Sequence, residues 1–185
     1  MELVKPIKDV NKIKEIKEEL KKNGTRDLLL FTFGLNTGLR ISDIVILKKK
    51  DVMTGIVAIK EEKTDKRKEF PLNQAILDIL TPFIANMAEE DYIFQSRQVD
   101  KDGKAKHITR QQAYNILNRA CANCGVKEGI GCHTLRKSFG YHHYKKFQDV
   151  ALLQKIFNHS SPSITLRYIG IEQDNIEATL QEFEL

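Results

Sequence analysis

Apolar residues recur at helical spacing along most of this chain and at strand spacing in one short stretch. Val10, Ile13, Ile16 and Leu20 share one face of a helix predicted over Asp9 to Lys22, which Asn23-Gly24 ends. Thr25 is placed to cap a second helix. Its run Leu28-Leu29-Leu30-Phe31-Thr32-Phe33 is apolar on nearly every side, which predicts a central place in the core. Gly38 is placed to stop that helix in a left-handed turn, and a short helix is predicted over Ile41 to Leu47.

After Lys48 the pattern changes. Gly55-Ile56-Val57-Ala58-Ile59-Lys60 is short and β-branched, and Arg67-Lys68-Glu69-Phe70-Pro71 alternates polar with apolar. With Thr64-Asp65-Lys66 between them they read as a hairpin, joined by a strand near Asp51-Val52. Helices return at Asn73, with Ile76, Leu77, Leu80, Phe83, Ile84 and Met87 on one stripe. Pro82 either kinks that helix or opens a new one behind a Thr81 cap. Thr109 and Gln112 have the spacing of a capping box, and Ala113, Ile116, Leu117 and Ala120 follow it.

The segments His133–Lys146 and Asp149–Phe157 read as helices, and Ser161-Pro162 reads as cap and first position of a short helix ending near Gly170. Ile176, Leu180 and Phe183 make a last amphipathic turn or two. The sum is a mainly α fold with one small antiparallel β-sheet, of class α+β. Its predicted divisions are an N-terminal helix over 1–24, a core domain over 25–171 and an acidic C-terminal helix or tail over 172–185.

The 185 residues suffice for one domain with appendages, and no apolar run reaches the ~18–20 residues of a bilayer span. The N-terminus lacks the apolar stretch of a secretory signal, so a soluble, cytoplasmic protein is expected. Three cysteines do not make a disulfide framework. The net charge is +5, and its distribution says more. Between Cys132 and Tyr168 lie Arg136, Lys137, Lys145, Lys146, Lys155 and Arg167 against Asp149 alone, with four of the five histidines. From Ile169 onward there are five acidic residues and no basic one. A positive segment of this kind attracts a phosphate backbone, although a solvated helix face would look the same.

Six residues stand out by their order: Arg40, Lys63, His133, Arg136, His159 and Tyr168. Each has a bland reading alone. Arg40 could pair with Asp43, Lys63 could serve solubility among its basic neighbours, H-x-x-R is common, and a lone tyrosine is usually core. Together they supply a phenol, two guanidiniums, an ammonium and two imidazoles, which suits attack on a phosphodiester. Arg40 and Arg136 are candidates to clamp nonbridging oxygens, and Tyr168, with an ordinary pKa of about 10, needs a base or electrostatic help. His133 is the candidate proton acceptor, His159 a donor to the phosphate, and Lys63 an acid for the leaving oxygen. Asp43 is expected to orient Arg40. No metal and no cofactor are called for.

The ordered set resembles the catalytic domain of tyrosine recombinases, the phage-integrase family that includes the Xer enzymes. Thr37-Gly38-Leu39-Arg40-Ile41-Ser42-Asp43 is similar to its first arginine box, and Lys63, eight residues before Pro71, to its hairpin lysine. His133-Thr134-Leu135-Arg136 is similar to the H-x-L-R box, and His159-Ser160-Ser161 with Tyr168 to the histidine and nucleophile box. The resemblance spans about Thr25 to Ile171. It implies DNA strand cleavage through a 3′-phosphotyrosine link and rejoining by a 5′-hydroxyl, serving integration, excision or resolution without ATP or metal. It further implies double-stranded DNA as partner, a monomer in solution that becomes a tetramer on synapsed DNA, a bacterial, phage or mobile-element origin, and a tail that can couple subunits.

The chain departs from the family pattern at two points. Phe157-Asn158 stands where the family usually has Leu-Gly before the histidine, and asparagine tolerates the same left-handed turn. Fewer than thirty residues precede the core, where family members commonly carry a separate DNA-binding domain. The chain is therefore a catalytic-only member or an excised domain, and a separate DNA-binding partner is possible. Three other readings stay open: a DNA-binding regulator built on the helix-turn-helix-like stretch Asp149 to Tyr168, a type IB topoisomerase, and a structural zinc on Cys121, Cys124, Cys132 and His133.

Overall fold

A computed structural model describes residues 4–60, 67–99 and 101–184. Helix α1 (Val10–Asn23) begins at Asp9, whose carboxylate accepts from the Asn11 N–H, and ends at Gly24 with φ 124°. Helix α2 (Thr25–Thr37) follows at once. Its N-cap is Gly24 rather than Thr25, because the glycine that closes α1 also opens α2. Leu29, Leu30, Phe31 and Phe33 are fully buried, as the all-round apolar run predicted. Helix α2 packs against α1 and against two later helices, α4 (Gln74–Ile84) and α6 (Thr134–Phe147).

Between them, α3 (Ile41–Val45) ends two residues sooner than expected. The strand expected near Asp51-Val52 is absent. Lys49–Asp51 is a 3-10 turn, closed by a hydrogen bond from the Lys48 N–H to the Asp51 carboxylate (2.8 Å). Strands β1 (Ile56–Lys60) and β2 (Arg67–Pro71) pair antiparallel, with Val57 opposite Phe70. Helix α4 holds Pro82 inside its run and stops at Ile84, short of Met87. A second hairpin, β3 (Gln95–Val99) with β4 (Ala105–His107), was not foreseen. Its strands are mostly polar and mostly exposed, so no apolar alternation announces them. The fold thus holds two separate two-stranded sheets among the described residues.

Thr109 and Gln112 form the capping box of α5 (Arg110–Asn123). Helices α7 (Val150–Phe157) and α8 (Pro162–Ile169) start from Asp149 and Ser161, whose side chains accept from Leu152 and Ile164 N–H groups. The tail forms α9 (Ile171–Glu182), longer than the expected turn or two. Two apolar clusters result. The larger centres on α2, and the smaller joins Leu153, Phe157, Ile169 and Ile171 under Phe139 and Tyr168. The seam between them is where the functional side chains collect. Among the described residues no helix is long and apolar enough to cross a membrane.

Candidate active site

Helix ends place each group. Gly38 stops α2 with φ 63°, and a Cβ there would lie 2.5 Å from the Phe139 ring. The turn delivers Arg40 to the N-cap of α3, where its Nη1 lies 3.9 Å from the carboxylate of the buried Asp43. His133 is the N-cap of α6, and Arg136 stands one turn further in, only 3% exposed. Arg136 Nη2 donates to the Phe157 carbonyl at 2.9 Å, and its Nη1 donates to the Gly38 carbonyl. One guanidinium therefore ties the end of α2 in the larger cluster to the end of α7 in the smaller.

Asn158 closes α7 with φ 55° and ψ 44°, so the left-handed turn survives without glycine. That turn presents His159, which Gln154 clasps from both sides: the His159 N–H donates to the Gln154 carbonyl (3.0 Å), and Gln154 Nε2 donates back to the His159 carbonyl (3.1 Å). His159 Nδ1 lies 3.1 Å from the Thr165 hydroxyl. From α8, the half-buried Tyr168 brings its hydroxyl to 3.2 Å from His133 Nδ1. Its ring meets His159 edge-to-face at 5.0 Å between centroids and Phe157 at 5.5 Å. The structure thus gathers Arg40, His133, Arg136, His159 and Tyr168, with Asp43 behind Arg40. Lys63 lies outside the described residues.

Electrostatics follow from that crowding. Burial pushes the Tyr168 phenol above its ordinary value, while the Arg136 and Arg40 charges and a hydrogen bond with Arg136 pull it back. Loss of water around the ring lowers the His133 pKa first, and the charges of Arg136, Arg110, Lys137 and Arg40 add to the effect although the imidazole faces solvent. His159 is lowered for the same reasons, by burial, Arg136 and Arg40. Both imidazoles are thus biased towards the neutral form, in which a ring nitrogen can accept a proton.

Several members were not picked out from sequence. Arg110, directly after the Thr109 cap, lines a cavity of about 160 Å³ with Arg40, Ser42, Cys132 and His133. Its Nε donates to Cys132 Sγ at 3.2 Å. Gln154 and Thr165 support His159; a polar residue in the otherwise apolar face of α7 was the available signal for the first. The zinc reading finds no support in the geometry. Cys121 is buried with its thiol pushed up to about 12 by desolvation, and no cluster of three metal-ligating side chains occurs among the described residues.

The sequence pattern of the phage integrase family matches residues 7–174. The chain belongs to the phage integrase family of tyrosine recombinases. It is 44% identical over 184 residues to the probable integrase/recombinase YoeC of Bacillus subtilis, covering 99% of this chain and 98% of that one. It is 26% identical over 182 residues to the tyrosine recombinase XerD of Staphylococcus epidermidis, covering 96% of this chain but only 61% of XerD. Among solved structures it is similar to XerH site-specific recombinase bound to difH substrate in a pre-cleavage complex. That likeness has a TM-score of 0.70 at 23% identity, over 100% of this chain and 56% of XerH. This tyrosine recombinase domain thus has the mainly helical family fold with small antiparallel sheets.

Proposed function

We propose that this domain cleaves and rejoins double-stranded DNA with Tyr168 as nucleophile, in the service of site-specific recombination. The observation that supports it best is the 3.2 Å contact between the Tyr168 hydroxyl and His133 Nδ1, set beside two guanidiniums. In the cleavage step the Tyr168 proton passes to His133 and the phenolic oxygen bonds to phosphorus. The bond from phosphorus to the 5′ oxygen breaks, and its electron pair leaves on that oxygen. Lys63 is the acid that the family resemblance assigns to this leaving group. The 5′-hydroxyl of a partner strand reverses the step, so bond energy is conserved and no ATP is consumed.

Charge accumulating on the nonbridging oxygens meets Arg40 and Arg136, which stay protonated at all relevant pH. Arg136 already spends two donors on carbonyls, so its position is held before DNA arrives. The Thr165 hydroxyl donates to the Ser161 carbonyl (3.3 Å), and its oxygen lies 3.1 Å from His159 Nδ1. That contact holds the imidazole ring, and in the form that carries a proton on Nε2 His159 donates to a phosphate oxygen. XerH is recorded on its DNA substrate, and the same kind of substrate suits the basic stretch from Arg136 to Arg167 here. On synapsed DNA the domain would act as a tetramer, with α9 reaching towards a neighbouring copy.

The test is covalent capture. Incubated with a library of nicked duplexes of randomised sequence, wild type should yield a protein–DNA adduct on a denaturing gel and Tyr168→Phe none. An adduct that persists in Tyr168→Phe overturns the choice of nucleophile. DNA binding by wild type with no adduct would favour a DNA-binding regulator instead.

A further inference from the structure

We infer that Lys137 is a positioning residue for the nucleophile: its ammonium, held over the Tyr168 ring by the Val4 carbonyl, favours the ionised phenol. The inference rests on Tyr168 being the nucleophile and adds a group outside the six boxed residues.

Three contacts define the arrangement. Lys137 Nζ lies 5.1 Å from the centroid of the Tyr168 ring, within the range of a cation–π contact. The same nitrogen donates to the Val4 carbonyl at 2.8 Å, which fixes a side chain that would otherwise sample many rotamers. Val4 is itself held, because the segment from Val4 to Lys8 is stitched down along its length. The Lys5 N–H donates to the Gly129 carbonyl (2.7 Å), the Ile7 N–H to Ser138 Oγ (2.7 Å), and the Ile7 carbonyl meets His142 Nε2 (2.9 Å). Lys8 pairs with Asp174 at the start of α9. The N-terminal segment, α6 and α9 thus brace one ammonium against one phenol ring.

Tyr168 faces charged or titratable groups from every element around it. His133, Arg136 and Lys137 come from α6, Arg40 from the turn before α3, and His159 from the turn before α8. The arginines act on the oxygen end. Lys137 alone among these cations sits over the ring, where part of the phenolate charge resides. A cation at a ring face is attracted more strongly to the phenolate than to the neutral phenol, which opposes the burial that raises the Tyr168 pKa. Lys137 is half-buried, so water screens the attraction less than it would for a surface lysine. Burial lowers the pKa of Lys137 as well, so its effect fades at alkaline pH.

Lys137→Met keeps the stem and removes the charge; Lys137→Arg keeps a charge over the ring. Both are compared with wild type in adduct formation across pH, in DNA binding, and with 3-fluorotyrosine, a more acidic phenol, at position 168. A shift of one pKa unit corresponds to about a tenfold change in phenolate at a given pH. Lys137→Met is therefore expected to slow adduct formation roughly tenfold at neutral pH on saturating DNA, where any loss of affinity from the missing charge no longer affects the rate. The deficit should shrink as pH rises and shrink again with fluorotyrosine, and Lys137→Arg should recover most of the rate. Ultraviolet difference titration with 3-fluorotyrosine at position 168, each protein against its Tyr168→Phe counterpart and without DNA, should show a higher phenol midpoint in Lys137→Met, because the more acidic phenol ionises while Lys137 is still charged. A deficit equal at every pH and untouched by fluorotyrosine, or an unmoved phenol midpoint, overturns the inference. If wild type forms no adduct, the nucleophile assignment fails, and the titration still decides whether Lys137 sets the phenol.

Discussion

Arg136 is joined to Phe157 in two ways. Its Nη2 donates to the Phe157 carbonyl at 2.9 Å, and its guanidinium carbon lies 4.4 Å from the centroid of the Phe157 ring. Phe157 ends α7, and Asn158 turns the chain to His159. A catalytic candidate therefore also fixes the turn that presents another, so the two cannot be perturbed independently.

Arg136→Lys tests that double role. An ammonium cannot reach the Gly38 and Phe157 carbonyls while also facing a phosphate, and hydrogen bonds to charged groups each contribute about 1.5–3 kcal/mol. The variant is expected to lose roughly 1–3 kcal/mol in a urea melt and more than about 100-fold in adduct formation. Full stability with lost activity would show that the carbonyl contacts do not matter to the fold.

Gly140 sets how closely α6 approaches the nucleophile helix. A Cβ there would lie 2.6 Å from Ile169 Cγ2 and 2.7 Å from the Phe157 ring. Gly140→Ala is expected to destabilise by about 1–3 kcal/mol through overpacking, and to slow cleavage by displacing Tyr168. Chemical denaturation and the adduct assay check the two effects separately.

Stability should fall on mild acidification. His133, His143 and His159 all have lowered pKa values, and the buried Nδ1 of His143 has no hydrogen-bond partner among the described residues. The unfolded chain therefore takes up protons first as pH drops. Stability is complete above the ordinary imidazole value of about 6.5 and is lost as pH falls through it, until the folded imidazoles also protonate. Thermal melts on either side of that value should show a lower Tm on the acid side, and His143→Leu should reduce the difference. A Tm unchanged across this range contradicts the argument.

Helix α9 should contribute little to the isolated fold. Ile176, Leu180 and Phe183 are 47%, 69% and 66% exposed, so the stripe does not fold back onto its own core. Deleting Asn175 to Leu185 is expected to change stability by less than about 1 kcal/mol and to leave single cleavage intact, while assembly of copies on DNA is lost. Sedimentation on synapsed DNA measures the second outcome.

Strong local signals in the sequence survived folding. The all-round apolar run of α2, the capping box at Thr109, the Ser161-Pro162 start of α8 and the left-handed stop at Gly38 rest on neighbours a few residues apart, so they are legible without a fold. The candidate residues were legible for a different reason: their order along the chain matched a known pattern. Where propensity was weak, tertiary contacts decided. The polar hairpin of β3 and β4 is set by backbone pairing, and Lys49–Asp51 coils because one carboxylate accepts one N–H. Composition cannot reveal which carbonyls Arg136 occupies, that Gln154 clasps His159, or that Lys137 lies over Tyr168. Those contacts join residues from segments that meet only when the two apolar clusters close on each other, because burial fixes distances that the chain's own geometry leaves free.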